Sequence, residues 1–155
     1  MQAQFQVRFL TSDQIENALF QEGVATVSVL PDRQYVMPTW TWVSMSFSQA
    51  LHKLQNALTI QKWLAEANDC DDFARVSAAF AQVLHTNTPG RPEGTALAFG
   101  EFWYKQDKGG GHAINVVLTG RDGEEKIEVK FYEPQTRKFV QLSEPEKLSA
   151  MMVRI

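Results

Sequence analysis

The hydrophobic pattern changes period twice in the first third of the chain. Phe5 to Leu10 alternates well enough for a short strand. Thr11-Ser12-Asp13 then reads as a helix start, with Glu16 three residues after Asp13 as in a capping box. Ile15, Leu19 and Phe20 give that helix an apolar face, and Gly23 ends it. Val24 to Leu30 is rich in β-branched residues and reads as a strand. Pro31 and Pro38 punctuate the stretch up to Ser48, where Trp40 and Trp42 fit either a strand or a packed loop.

From about Gln49 to Ala67 the period becomes helical, with Leu51, Leu54, Leu58, Trp63 and Leu64 on one stripe. Asn68-Asp69 interrupts it, and a second helix is predicted from Cys70 to Leu84. Its apolar positions, Phe73, Val76, Ala79, Phe80, Val83 and Leu84, make a stripe broad enough for a core helix. Thr86 to Gly94 is a loop. Strands follow at Thr95–Tyr104, Ala113–Leu118, Lys126–Glu133 and Lys138–Leu142, and a short helix at Glu144 to Met152. Helices first and a strand meander second predict an α+β domain over residues 1–155, its helical half packed on one face of an antiparallel sheet.

Composition narrows the functional classes. Fifteen basic and eighteen acidic residues are scattered along the chain, leaving a charge of −3 without the clustered basic face of a nucleic-acid binder. There is no polybasic membrane patch and no window of ~20 consecutive apolar residues for a spanning helix. Met1 to Phe5 lacks the basic and apolar regions of a signal peptide, so a cytoplasmic protein is expected. One cysteine cannot form an intramolecular disulfide.

Arg121-Asp122-Gly123-Glu124 carries the Asp-Gly signal of a two-residue hairpin turn. With Asp122 and Gly123 at the centre, Leu118 faces Ile127, Val116 faces Val129 and Ile114 faces Phe131. One face of the hairpin is then apolar and the other mostly polar. The same register sets His112 opposite Glu133 on the apolar, core-facing side, at a Cβ separation of ~5 Å that suits an imidazole–carboxylate hydrogen bond.

Cys70 begins the second helix, where free N–H groups lower a thiol pKa and can hold an oxyanion. Asp69, Asp71 and Asp72 oppose the first effect, so a nearby imidazolium is needed for a thiolate. Cys70 shares the Phe73, Ser77, Phe80, Leu84 line, expected to face the apolar side of the sheet, where His112 and Glu133 lie. Convergence of these three side chains suits a cysteine nucleophile with a histidine base and an orienting acid.

Cys-Asp-Asp-Phe-Ala at 70–74, Gly-His-Ala-Ile-Asn at 111–115 and Phe-Tyr-Glu-Pro-Gln at 131–135 resemble the papain-like and transglutaminase-like cysteine peptidases. Among these, the likeness is closest to the C-terminal protease-like domain of fungal agglutinins, with bacterial transglutaminase-like cysteine peptidases next. The resemblance runs over about residues 63 to 140. It implies a papain-like fold, with Cys70 as nucleophile, His112 as base and later acid, and Glu133 supporting the imidazolium. Papain-like enzymes also place an oxyanion-hole Gln shortly before the cysteine. Gln61, nine residues ahead, and Asn68, two ahead, are the candidates here, although neither has the family spacing. Gln135 is a candidate for substrate contact. The resemblance also implies calcium, for which Asp69, Asp71 and Asp72 offer oxygens, but their spacing is not that of a calcium loop and no metal is assigned.

His52 and His85 have no metal ligands at zinc spacing. Gly109-Gly110-Gly111 reads as a hinge beside His112, and the tryptophans as core or cleft-wall residues. The expectation is a hydrolase of peptide or amide bonds acting through an acyl-thioenzyme on a peptide or protein substrate, with acyl transfer to an amine equally open. Its rivals are a non-catalytic binding module on the same fold and a structural or assembly protein. Oligomeric state is not legible.

Overall fold

The computed structural model describes residues 5–25, 28–60, 64, 69–120 and 126–155. Strand β1 (Phe5–Leu10) and helix α1 (Ser12–Gln21) stand where the sequence pattern put them. The cap differs in detail. Thr11 is the N-cap, its hydroxyl accepts from the Gln14 N–H at 3.3 Å, and Gln14 Oε1 accepts from the Thr11 N–H at 3.0 Å. Two orphan donors are satisfied reciprocally, at an earlier position than predicted. Gly23 follows at φ 88°, a left-handed conformation that stops the helix at little steric cost.

Of the predicted strand from Val24 to Leu30, only β2 (Ser28–Val29) is strand, and residues 26 and 27 lie outside the described ones. The ambiguous stretch resolves into β3 (Tyr35–Pro38), wholly buried, and a π-helical segment, Trp42–Phe47, that runs into α2 (Ser48–Ala57). α2 ends well short of the predicted Ala67. Thr59 adopts φ 57°, its N–H donates to Asn56 O at 3.2 Å, and the Ile60 N–H reaches back to Gln55 O at 3.1 Å. This is the Schellman ending, made here with threonine where glycine is usual, so the sequence carries no stop signal. Leu64 is exposed, and Trp63 lies outside the described residues.

Helix α3 (Cys70–Thr86) matches the expected span, but it buries Phe73, Ala74, Ser77, Ala81 and His85, while Ala79 and Val83 of the predicted stripe are exposed. Then come β4 (Ala96–Leu97), β5 (Phe99–Lys105), β6 (Gly111–Thr119), β7 (Glu128–Glu133), β8 (Lys138–Val140), α4 (Glu144–Leu148) and β9 (Met152–Arg154). Strands β1, β3 and β4 form one sheet, and a larger one has the order β2-β9-β5-β6-β7-β8. Strand β9 replaces part of the predicted terminal helix and inserts between β2 and β5. Gly100 makes this insertion possible, since a Cβ there would run into the Arg154 carbonyl and come within 2.7 Å of Ile155 Cα. None of the described helices is long and apolar enough to cross a membrane.

The α+β class stands, but the expected antiparallel sheet is mixed, with β2 parallel to β9 and β3 parallel to β4, and two details of the hairpin differ as well. Leu118 pairs with Val129 and Val116 with Phe131, a shift of two from the two-residue-turn register. The Asp-Gly segment itself, within residues 121–125, lies outside the described residues. Because side chains alternate with period two, this shift changes partners without exchanging faces.

The second correction concerns what covers each face. Ile114, Val116, Leu118, Val129 and Phe131 pack in one core with Ile15 and Leu19 of α1. Helix α3 lies on the other face, where Ala81 joins Phe47, Leu51, Phe99, Val117 and Tyr132. The face read as polar is therefore a second core, and β6 is buried on both sides, as its near-continuous apolar run allows.

Candidate functional site

The chain enters β6 through Gly109 and Gly110, at φ 85° and 90°. His112 pairs with Tyr104 of β5, and the two rings meet edge-on with centroids 5.7 Å apart. His112 Nε2 lies 2.8 Å from Glu133 Oε2, with the two side chains 18% and 15% exposed. The other carboxylate oxygen accepts from the Gln135 N–H at 3.1 Å. The turn beyond Glu133 is itself tied down. Gln55, buried in α2, donates to Pro134 O at 3.0 Å and accepts from Arg137 Nη1 at 2.9 Å. The predicted His112–Glu133 pair is thus present, and neighbouring elements fix its geometry.

Cys70 reaches this region from the opposite face of the sheet. Asn115, fully buried on β6, donates to Ala74 O at 2.8 Å and to Gly100 O at 2.9 Å, which docks the first turn of α3 onto β5 and β6. The Cys70 sulfur then lies against the Ala113 backbone N–H. Burial pushes the thiol pKa up. The Ala113 N–H works against this, and the charges of Asp69 and Asp71 add to it. Cys70 is a neutral thiol at physiological pH. Among the described residues no hydrogen bond joins it to His112, and His112 Nδ1 has no partner. Tyr104 stays protonated, its pKa raised to about 12, chiefly by burial.

Among the remaining predicted site residues, Gln135 is placed by its backbone bond to Glu133, while Gln61 and Asn68 lie outside the described residues. Asp69, Asp71 and Asp72 bring one carboxylate oxygen each to within 4.8 Å of one another. A side-chain hydrogen bond from Asp69 raises the Asp71 pKa, and burial and the neighbouring charges reinforce the shift. Such crowding fits a hard cation, which takes six to eight oxygens. Arg75 supplies partial compensation, 3.0 Å from Asp71 and 3.5 Å from Asp72.

Tyr104 and Asn115 were not anticipated as parts of this site. Asn115 did carry a signal, as a lone amide inside the apolar run of β6. Tyr104 carried none, because its role comes only from pairing with His112.

Residues 41–139, well over half of the chain, match the agglutinin C-terminal family. A comparison with curated proteins returns no match. Two solved structures share the fold with a TM-score of 0.72 each, and both cover 95% of this chain. The one described as the PSL1a-E64 complex is 25% identical over 50% of its own length. The other, Polyporus squamosus lectin bound to the human-type influenza-binding epitope Neu5Aca2-6Galb1-4GlcNAc, is 23% identical over 49% of its length. The chain therefore spans about half the length of the solved proteins it matches.

These findings correct the functional expectation. The likeness to agglutinins holds, whereas the papain-like and transglutaminase-like peptidase assignment does not, because the family and the structural relatives are agglutinins and lectins. The cysteine hydrolase acting on a peptide substrate is withdrawn with it. The physical reason lies in Cys70, whose thiol is held protonated by burial and flanking carboxylates and bonds to backbone instead of to an imidazole. The chain belongs to the agglutinin C-terminal family.

Proposed function

We propose that this chain is a non-catalytic recognition module of the agglutinin type, taking a hydroxyl-rich ligand, an oligosaccharide, where β6 and β7 meet the start of α3. The observation that carries this reading is the hydrogen bonding of His112. Its Nε2–H is engaged by Glu133, which leaves Nδ1 as an acceptor without a partner among the described residues. In its neutral form, with the proton on Nε2 towards Glu133, an imidazole anchored in this way accepts a hydrogen bond from a ligand hydroxyl at Nδ1. Tyr104, neutral far above physiological pH, supplies a donor and a ring edge beside it. Glu133 orients the imidazole, Cys70 lies against the neighbouring Ala113 backbone as a small group, and Gln135 offers a further amide. The description of the Polyporus squamosus lectin, which names a bound sialylated trisaccharide, supports the ligand class.

We assign calcium, on the same footing, to Asp69, Asp71 and Asp72, where it would neutralise three crowded carboxylates and stiffen the first turn of α3.

Titration of the isotope-labelled full chain with that trisaccharide tests the reading. Resonances of His112, Tyr104 and Ala113 are expected to shift, and His112→Ala is expected to abolish the response. Undisturbed His112 and Ala113 signals at millimolar sugar would exclude this surface as the binding site. Rapid alkylation of Cys70 by iodoacetamide at pH 6, read by mass spectrometry, would refute the non-catalytic assignment.

A further inference from the structure

Which ring nitrogen of a neutral histidine carries the proton is set by the hydrogen bond at the other end of the ring. An ionised carboxylate can only accept, so Glu133 Oε2, 2.8 Å from His112 Nε2, keeps the proton there. What holds Glu133 is helix α2. Ser48 and Gln55 stand seven residues apart, two turns of that helix and therefore one face of it. The Ser48 hydroxyl meets the Tyr132 hydroxyl at 2.8 Å, and Gln55 donates to Pro134 O at 3.0 Å. These two contacts grip the chain on either side of Glu133.

The turn beyond is strained and tied to the same helix. Arg137 adopts φ 57°, in the left-handed region that a side chain disfavours. Its N–H closes the turn on Glu133 O at 2.8 Å, and its Nη1 reaches Gln55 Oε1 at 2.9 Å and Gln135 O at 3.3 Å. The Gln135 N–H donates to Glu133 Oε1 at 3.1 Å, which leaves Oε2 for the imidazole. A continuous chain of hydrogen bonds thus runs from Gln55, 2% exposed, through Arg137, Gln135 and Glu133 to His112. A strained residue persists where its surroundings over-determine it, and here those surroundings aim the carboxylate.

We infer that Gln55 and Arg137 are positioning residues, which hold Glu133 so that His112 keeps its proton on Nε2 and presents Nδ1 as an acceptor. The inference rests on the reading of His112 as the ligand-binding group, and it names what fixes the direction of the hydrogen bond at that site. Helix α2 thereby acts on the site through the turn after β7.

The test reads the ring nitrogens of His112 by nitrogen NMR in the labelled full chain at pH 8, without ligand. The parent chain is expected to show a protonated Nε2 and a bare Nδ1. Gln55→Met, apolar and similar in length, and Arg137→Gly are each expected to move both nitrogens towards the averaged positions of a free imidazole. Loss of packing alone would not produce that movement. Ring signals unchanged in both variants, or a parent chain protonated on Nδ1, would overturn the inference. If Gln55→Met does not fold, Arg137→Gly decides, because glycine takes φ 57° at little steric cost. These spectra need no sugar, so they decide the positioning role whether or not the trisaccharide binds. Where it does bind, Gln55→Met should weaken it about tenfold, the worth of one hydrogen bond.

Discussion

His112 and Glu133 are joined at 2.8 Å although neither is the other's cross-strand partner. Continuing the ladder one step past Asn115 and Tyr132 puts Glu133 across from Ile114, so the carboxylate reaches His112 along the diagonal. Diagonal neighbours are ~7–8 Å apart, a gap that a glutamate and an imidazole close together. The pair therefore depends on its supports, the edge contact of His112 with Tyr104 and the turn held by Gln55 and Arg137.

Cys70 should behave as an ordinary buried thiol. Its alkylation by iodoacetamide is expected to be slow at pH 7 and to rise only above ~8.5, the free-thiol pKa. His112→Ala should leave that profile unchanged. Fast alkylation at pH 6 that disappears in His112→Ala would contradict a thiol bonded to backbone and uncoupled from the imidazole.

Asn115 is the clamp between α3 and the sheet. Asn115→Ala strips a donor from two buried carbonyls, Ala74 O and Gly100 O, and should cost about 2–3 kcal/mol. Urea denaturation measures the loss. Because α3 carries Cys70, amide shifts at Cys70 and Ala113 should accompany it.

His85, at the last turn of α3, is buried and bonds the Thr95 carbonyl at 3.1 Å. Burial lowers its pKa, so the unfolded chain takes up this proton more readily than the folded one. The stability tied to neutral His85 is complete above the unfolded value of ~6.5 and declines as pH falls below it. The urea midpoint should drop between pH 7 and pH 5, and a His85→Gln chain should show a flatter profile over the same window.

Asp71 has the opposite sign. Its raised pKa means that its ionised form is disfavoured in the fold, so it costs stability above the unfolded value of ~3.9. Asp71→Asn is expected to raise Tm at pH 7 in the presence of chelator. Calcium should raise the Tm of the parent chain and leave that of Asp71→Asn nearly unchanged. Equal calcium responses in the two proteins would remove the acidic trio as the binding site.

Much of the architecture was legible in the chain itself. The period of two at Phe5–Leu10, the helical stripe from Cys70 onward and the strand-rich second half are local patterns, set by backbone geometry and the burial of one face. His112 and Glu133 could be placed on one face of a hairpin because period-two alternation survives a register error of two. The stop of α2 at Ala57 could not be read, since Thr59 takes a conformation usually left to glycine. Strand β9 was hidden as well, because its existence depends on the room that Gly100, more than fifty residues earlier, leaves for Arg154.

The character of the site was decided only by tertiary structure. Sequence put Cys70, a histidine and an acid in a suggestive order, but the side of the sheet on which α3 lies is a packing choice between two apolar faces. Helix α3 took the face of Asn115 and Val117, so the thiol meets backbone while the imidazole turns to Tyr104 and Glu133. Protonation followed from that choice, because a pKa reflects solvent and charge in three dimensions. Local patterning determined which elements form. Long-range packing determined which side chains meet, and with them the chemistry.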